Sequence, residues 1–225
     1  MTRPRTPAAV CIAVLAAAVY ALLWVGYCRG WAWLHRMDWS LLNAARDMAV
    51  KHPVWLRFWE AVSYVLGPVP MSLLGIAVTV FALVIRNLRA ALVLVLACGP
   101  VNEFATAAAK ALVNRPRPPA MLVAAPSTSF PSGHALEAMA ALLAVLCFFF
   151  PRMKGLTRRI AVAVVAVSLL MVGISRVALN VHYPSDVLAG WSLGYLYFLL
   201  CLLIFRPATK RPAGPQRATE PAAVP

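Results

Sequence analysis

Six stretches of this 225-residue chain are apolar over roughly the length that crosses a bilayer, at about 8–28, 61–85, 91–112, 135–150, 160–179 and 187–205. That pattern predicts an all-α integral membrane protein, a bundle of six transmembrane helices. The fourth stretch covers only about 16 residues. Its polar start must therefore lie near the interface, or its helix must be shielded by neighbours. The composition agrees: 62% of residues are hydrophobic and 12% charged, against roughly 25% charged in soluble domains. A net charge of +14 invites a nucleic-acid partner, but the cations punctuate the apolar runs and form no basic helix or aromatic-interleaved stripe. Nucleic acid is not expected as a partner; membrane lipids are.

The one sizeable connection, 29–60, holds five of the seven tryptophans, Trp31, Trp33, Trp39, Trp55 and Trp59. They suit a layer at the membrane surface, either anchoring the spans or gating a site. Asp38 is placed to cap a short amphipathic helix running to Ala49, with His52-Pro53 breaking it before a second. Basic residues fall at one set of span ends, Arg3 and Arg5, Arg86 and Arg89, Arg152, Lys154, Arg158 and Arg159, then Arg206, Lys210, Arg211 and Arg217. The positive-inside bias makes that side, with both termini, cytoplasmic. The first run lacks a small-x-small cleavage site and is expected to be a permanent anchor. The domain plan is a tail at 1–7, a membrane domain at 8–205 with 29–60 as an extracytoplasmic helical segment, and a disordered basic tail at 206–225. Of the five cysteines, Cys11, Cys98, Cys147 and Cys201 lie in spans and Cys28 near an outer end, which predicts buried thiols and no disulfide framework.

The remaining polar residues collect at one face. Lys110 ends the third span, and Arg115 and Arg117 follow in "NRPRPP". Ser132, Gly133 and His134 precede the fourth. Ser175 and Arg176 close the fifth, and His182 and Asp186 bracket "HYPSD" before the sixth. With six spans, all of these lie at the outer face. Cations beside a Ser-Gly turn at a helix N-terminus make an anion site, because free N–H groups and the helix dipole add to the side-chain charge. Two histidines and a carboxylate can supply a nucleophile, an orienting base and an acid. Asp186, across the Pro184 turn, can reach the His182 imidazole and fix its tautomer. The combination points to phosphoryl transfer.

Three segments, "KALVNRPRP" from Lys110 through Arg117-Pro118, "PSGH" at 131–134 and "SRVALNVHYPSD" from Ser175 to Asp186, match in order and spacing the signature of the type 2 phosphatidic acid phosphatase (PAP2) superfamily. The chain resembles the bacterial membrane branch of that family over roughly 8–205. The resemblance implies that His182 attacks phosphorus and forms a phosphohistidine, with Asp186 orienting it. It implies that His134 protonates the leaving oxygen and later activates water. Lys110, Arg117, Arg176, Ser132 and the Gly133 N–H would hold the phosphoryl oxygens. It implies no cofactor and no metal. Arg115 falls outside the matched positions and is expected to be a loop or headgroup contact. Glu103, two turns before Lys110, is placed to pair with it inside the bundle; Glu137, one turn beyond His134, is placed to tune it or to balance a nearby cation.

The expected function is hydrolysis of a lipid phosphate or diphosphate at the outer face of a bacterial inner membrane. Undecaprenyl diphosphate, phosphatidic acid, phosphatidylglycerol phosphate and lipid A phosphates all fit such a site. A lipid phosphotransferase of the same fold is the alternative within the class. A transporter is the alternative outside it, disfavoured because the charges cluster at one face instead of crossing the spans.

Overall fold

The computed structural model describes residues 6–205. The expected disordered basic tail at 206–225 therefore lies outside the described residues. Among these are nine α-helices and no strand: α1 (Thr6–Cys28), α2 (Ala32–Lys51), α3 (Pro53–Val65), α4 (Pro68–Val84), α5 (Leu88–Cys98), α6 (Pro100–Val113), α7 (Gly133–Phe149), α8 (Gly155–Ala178) and α9 (Pro184–Ile204). Six helical stretches are long and apolar enough to span a bilayer. The second, Pro53–Val84, is α3 with α4, and the third, Leu88–Val113, is α5 with α6.

The sequence reading expects the second and third spans to be unbroken, and each is two helices. Proline cannot donate the helical N–H and forces the preceding residue out of helical geometry. Gly67 and Gly99, each before a proline, are extended, with ψ of 179° and −171°. Each proline then starts the next helix, where its missing N–H costs nothing. His52-Pro53 does the same between α2 and α3, as expected. The second span begins at Pro53 and not near 61, because α3 runs helical through the Trp-rich segment.

Asp38 does not cap α2. That helix starts six residues earlier, after a turn in which Gly30 takes φ +64°, a left-handed angle that suits glycine. Asp38 instead occupies the buried stripe Leu34–Asp38–Leu42, at helical i, i+4 spacing. A carboxylate on an apolar stripe needs partners from elsewhere.

The core is the contact of α7 with α9. Ala135, Ala138, Ala140, Ala141 and Ala144 line α7 and are buried. On α9, Gly190 and Gly194 let the two backbones touch: a Cβ at Gly190 would lie 2.6 Å from the Ser132 carbonyl oxygen, and one at Gly194 2.5 Å from that of Leu136. Small residues at close helix crossings are the usual membrane solution. Large apolar side chains face outward instead, among them Leu15 on α1, Val80 on α4 and Val164 on α8, as lipid requires. Four termini gather at one end of the bundle: the C-termini of α6 and α8 and the N-termini of α7 and α9. The loop 114–132 closes over them, tied down by Leu122 N–H to the Leu179 carbonyl at 3.2 Å and by Ser129 N–H to that of Arg115 at 2.7 Å.

Candidate active site

His182 lies in the short link from α8 to α9, 1% exposed. Asn180 reverses the chain with φ +57°, and the N–H groups of Val181 and His182 both return to the Arg176 carbonyl. That turn aims the imidazole back at the end of α8. Asp186 sits in the first turn of α9, where its Oδ2 accepts the Tyr183 N–H at 2.9 Å and the Ser129 hydroxyl. The same oxygen stands 3.6 Å from His182 Nδ1, long for a hydrogen bond but close enough for strong attraction. The other ring nitrogen, Nε2, is 3.2 Å from Arg117 Nη1. A guanidinium only donates, so Nε2 is the acceptor and the ring proton belongs on Nδ1, facing Asp186. Burial pushes the His182 pKa down to about 4, although Asp186 pulls it upward. At neutral pH the ring is therefore uncharged, with its lone pair on Nε2.

The cations around it are held by neutral oxygens. Arg117 donates from Nε to the Ser127 carbonyl at 2.9 Å, from Nη2 to that of Pro126 at 2.9 Å, and from Nη1 to that of Val181 at 2.7 Å. Lys110 Nζ donates to the Thr128 carbonyl. Arg176 Nη1 donates to the Ser63 hydroxyl of α3 at 2.5 Å, while its Nε is buried without a protein partner. Among the described residues none of the three has a carboxylate at salt-bridge distance. Ser132, the N-cap residue of α7, leaves its hydroxyl buried and unpartnered. Gly133 follows in the first turn; a Cβ there would meet Thr106 at 3.2 Å, Glu137 at 3.5 Å and Lys110 at 3.7 Å. His134 packs against the α3–α4 break, with Nε2 3.5 Å from where a Gly67 Cβ would stand. Arg176, His182, Arg117 and Lys110 all lie near enough to act on its charge. All eight residues singled out in the sequence are thus brought to one end of the bundle.

Other expectations change. Arg115 is no surface contact: it is buried, donating to Asp186 Oδ1 at 2.7 Å, Asp38 Oδ2 at 2.8 Å and the Ser185 hydroxyl at 2.8 Å. Its guanidinium lies 3.9 Å from the Tyr183 ring centroid and 4.8 Å from that of Tyr27. Burial opposes its charge, but Asp186 and Asp38 outweigh that and hold its pKa above the ordinary arginine value. Sequence reasoning also passed over Ser63 and Ser129, for which spacing carries no signal. Glu103 is exposed and does not pair with Lys110; Glu137 is half-buried beside Gly133. Two tryptophans pack beside the α8–α9 link, Trp59 with Ala178, Leu179 and Val181 and Trp39 edge-on to Tyr183. Cys98 and Cys201 are buried as expected, whereas Cys11 and Cys28 are exposed. Among the described residues no group of three or more His, Cys, Asp or Glu gathers closely enough to hold a metal ion.

Fold and site together describe a six-span helical membrane protein with a buried histidine–carboxylate pair beside a cluster of cations. The PAP2 superfamily model matches residues 87–210, a range that takes in all three motif segments, and the chain belongs to that family. It is 39% identical over 94 residues to phosphatidylglycerophosphatase B of Bacillus subtilis (strain 168), covering 40% of this chain and 46% of that protein. It is 38% identical over 77 residues to lipid A 1-phosphatase of Rhizobium johnstonii, covering 34% of this chain and 28% of that one. Each match thus spans less than half of the relative's length. The crystal structure of a transmembrane PAP2 type phosphatidylglycerolphosphate phosphatase from Bacillus subtilis aligns over 85% of this chain and 94% of that chain, with a TM-score of 0.70 and 24% identity. The two share the fold.

Proposed function

We propose that the protein is a metal-independent phosphatase of lipid phosphates or diphosphates, acting at the extracytoplasmic face of a bacterial inner membrane. The observation that carries this reading is the His182 ring, uncharged, with Nε2 beside Arg117 and Nδ1 turned to Asp186, among three cations with no carboxylate at salt-bridge distance among the described residues. In this reading Lys110, Arg117, Arg176, the Ser132 hydroxyl and the Gly133 N–H take the phosphoryl oxygens. His182 Nε2 attacks phosphorus, and the bond to the lipid oxygen breaks as that oxygen takes a proton from His134. Asp186 stabilises the positive charge that develops on the ring. A water molecule then gives its proton to His134 and its oxygen to phosphorus, breaking the P–N bond and releasing phosphate.

The position of the site among helix ends at the rim of an apolar bundle suits an amphiphile whose tail stays in lipid. Phosphatidylglycerophosphate and lipid A 1-phosphate, named for the relatives, belong to that class, as do phosphatidic acid and undecaprenyl diphosphate. The face is inferred from the basic residues between α4 and α5 and between α7 and α8, which lie at the ends opposite the site and favour the cytoplasm. Purified protein should release inorganic phosphate from at least one member of such a lipid panel, and a labelled phosphohistidine should be trapped on rapid quenching. Transfer of label to an added acceptor lipid in preference to water would make it a phosphotransferase. Full activity of a correctly inserted His182→Ala protein would end the mechanism.

A further inference from the structure

The eight motif positions do not include the residues that hold the histidine–carboxylate pair in place. Asp38 comes from α2, completely buried. Its Oδ1 accepts the Ser185 N–H at 2.9 Å, and its Oδ2 accepts the Ser185 hydroxyl at 2.6 Å. Ser185 is in the first turn of α9, where N–H groups have no partner within their own helix. Asp38 therefore caps α9 from a different helix, and its charge favours that helix's positive end. Asp38 Oδ2 also accepts from Arg115 Nη2, while Arg115 Nη1 donates to Asp186 Oδ1. One guanidinium thus bridges two buried carboxylates, its plane set by Tyr183 and Tyr27. With Oδ1 of Asp186 occupied by Arg115, Oδ2 is the oxygen left to face His182.

We propose that Asp38 and Arg115 are a positioning pair for the candidate nucleophile: through Asp186 and the first turn of α9 they set both the aim and the charge environment of His182. Neither touches the substrate. Helix α2 is thereby a working part of the site and not only a membrane-surface element. The inference rests on the phosphatase reading of His182 and extends it to residues 77 positions apart.

The charge arrangement makes a signature that mere scaffolding lacks. His182 is faced by Asp186 from α9, Arg176 from α8, Arg117 from the 114–132 loop and His134 from α7, and Lys110 from α6 acts on Asp186 and Arg117. Behind Asp186 stand Arg115 and, beyond it, Asp38. Neutralising Asp38 leaves Arg115 to bear undivided on Asp186, so protonation of His182 becomes harder. Neutralising Arg115 leaves Asp186 less compensated, so protonation becomes easier. The acid limb of kcat/KM should move down for Asp38→Asn and up for Arg115→Gln, each by about 0.5–1 pH unit for a charge several ångströms away at intermediate dielectric.

The test uses full-length protein in detergent micelles with phosphatidic acid. Asp38→Asn and Arg115→Gln should each lower the rate of phosphohistidine formation at least about tenfold with KM within about twofold. Arg115→Lys should recover part of the loss. In an Asp186→Asn background, Asp38→Asn should add less than about twofold, because its effect runs through Asp186. Asp38→Asn keeps the size of the side chain, so it remains informative if Asp38→Ala fails to fold. Losses tracking only a fall in melting temperature, with both limbs unmoved or moved alike, would overturn the pairing. So would wild-type rates in both variants while His182→Ala is inactive, an outcome that leaves the phosphatase reading standing. A wild-type protein that releases no phosphate from any lipid would defeat that reading instead.

Discussion

In the proposed mechanism His182 has to meet two demands with one ring, a free lone pair toward phosphorus and a proton toward Asp186. The neutral imidazole meets both. Its pKa of about 4 sets the sign of one pH effect. Below that value the ring is protonated and the lone pair lost, so kcat/KM should fall as pH drops through about 4 and should be flat against this group above it. The same proposal puts the opposite demand on His134, which must hold a proton when the lipid oxygen leaves. Activity should therefore decline again on the alkaline side, with both limbs belonging to the coupled site. Replacing His134 by alanine should hurt most with a lipid alkoxide leaving group. It should partly spare phosphorylation by a p-nitrophenyl ester, while phosphoenzyme accumulates because water is no longer activated. Equal losses for both substrates in single-turnover assays, with no phosphohistidine trapped, would remove His134 from the acid role. Truncating Arg117 or Arg176 to alanine should cost about 1.5–3 kcal/mol in the transition state, roughly tenfold to a hundredfold in kcat/KM. A loss below about threefold would mean that the arginine does not contact the phosphoryl group.

Elements position these residues, and their legibility in the sequence was uneven. The six apolar runs and the three spaced motif segments could be read directly, because each is a local pattern. The helix breaks at Gly67-Pro68 and Gly99-Pro100 were also local signals, yet continuous hydropathy masked them. The Asp38–Arg115 contact was not legible: it joins two distant segments, and a charged residue on an amphipathic helix ordinarily faces water. Only the apolar neighbours of Asp38 on its own helix face, Leu34 and Leu42, hinted otherwise. The close α7–α9 crossing gives a prediction at this scale. Adding a methyl by Gly190→Ala would press on the Ser132 backbone, which cannot move aside as a side chain would. It should cost about 1–3 kcal/mol in stability, read as a lower melting temperature in detergent. Since Ser132 is also a proposed phosphate ligand, activity at a temperature where the variant is still folded should fall as well. Gly75→Ala, at the α4–α5 contact with Cys98, should lower stability without that separate loss.

At the scale of the whole molecule, orientation can be checked with the protein's own chemistry. Cys28 ends α1 at the same end as the site and is exposed, whereas Cys98 and Cys201 are buried. A membrane-impermeant maleimide should label Cys28 in intact spheroplasts and lose that label in Cys28→Ser. Labelling of Cys28 that appears only after permeabilisation would reverse the proposed topology. Chelators should leave turnover intact, and loss restored by added Mg2+ would refute metal independence. The grip on Arg117 has a further consequence. Three carbonyl oxygens fix the direction of its guanidinium but cancel none of its charge, and Lys110 is held in the same manner. Arg117, Lys110 and Arg176 repel one another, and in the proposed reading an entering anion relieves that repulsion. Inorganic phosphate should accordingly raise the melting temperature, by mass action on the folded state, and much less so in Arg117→Ala. Under the proposed reaction the released phosphate should therefore act both as a thermal protectant and as a brake, read as product inhibition of turnover.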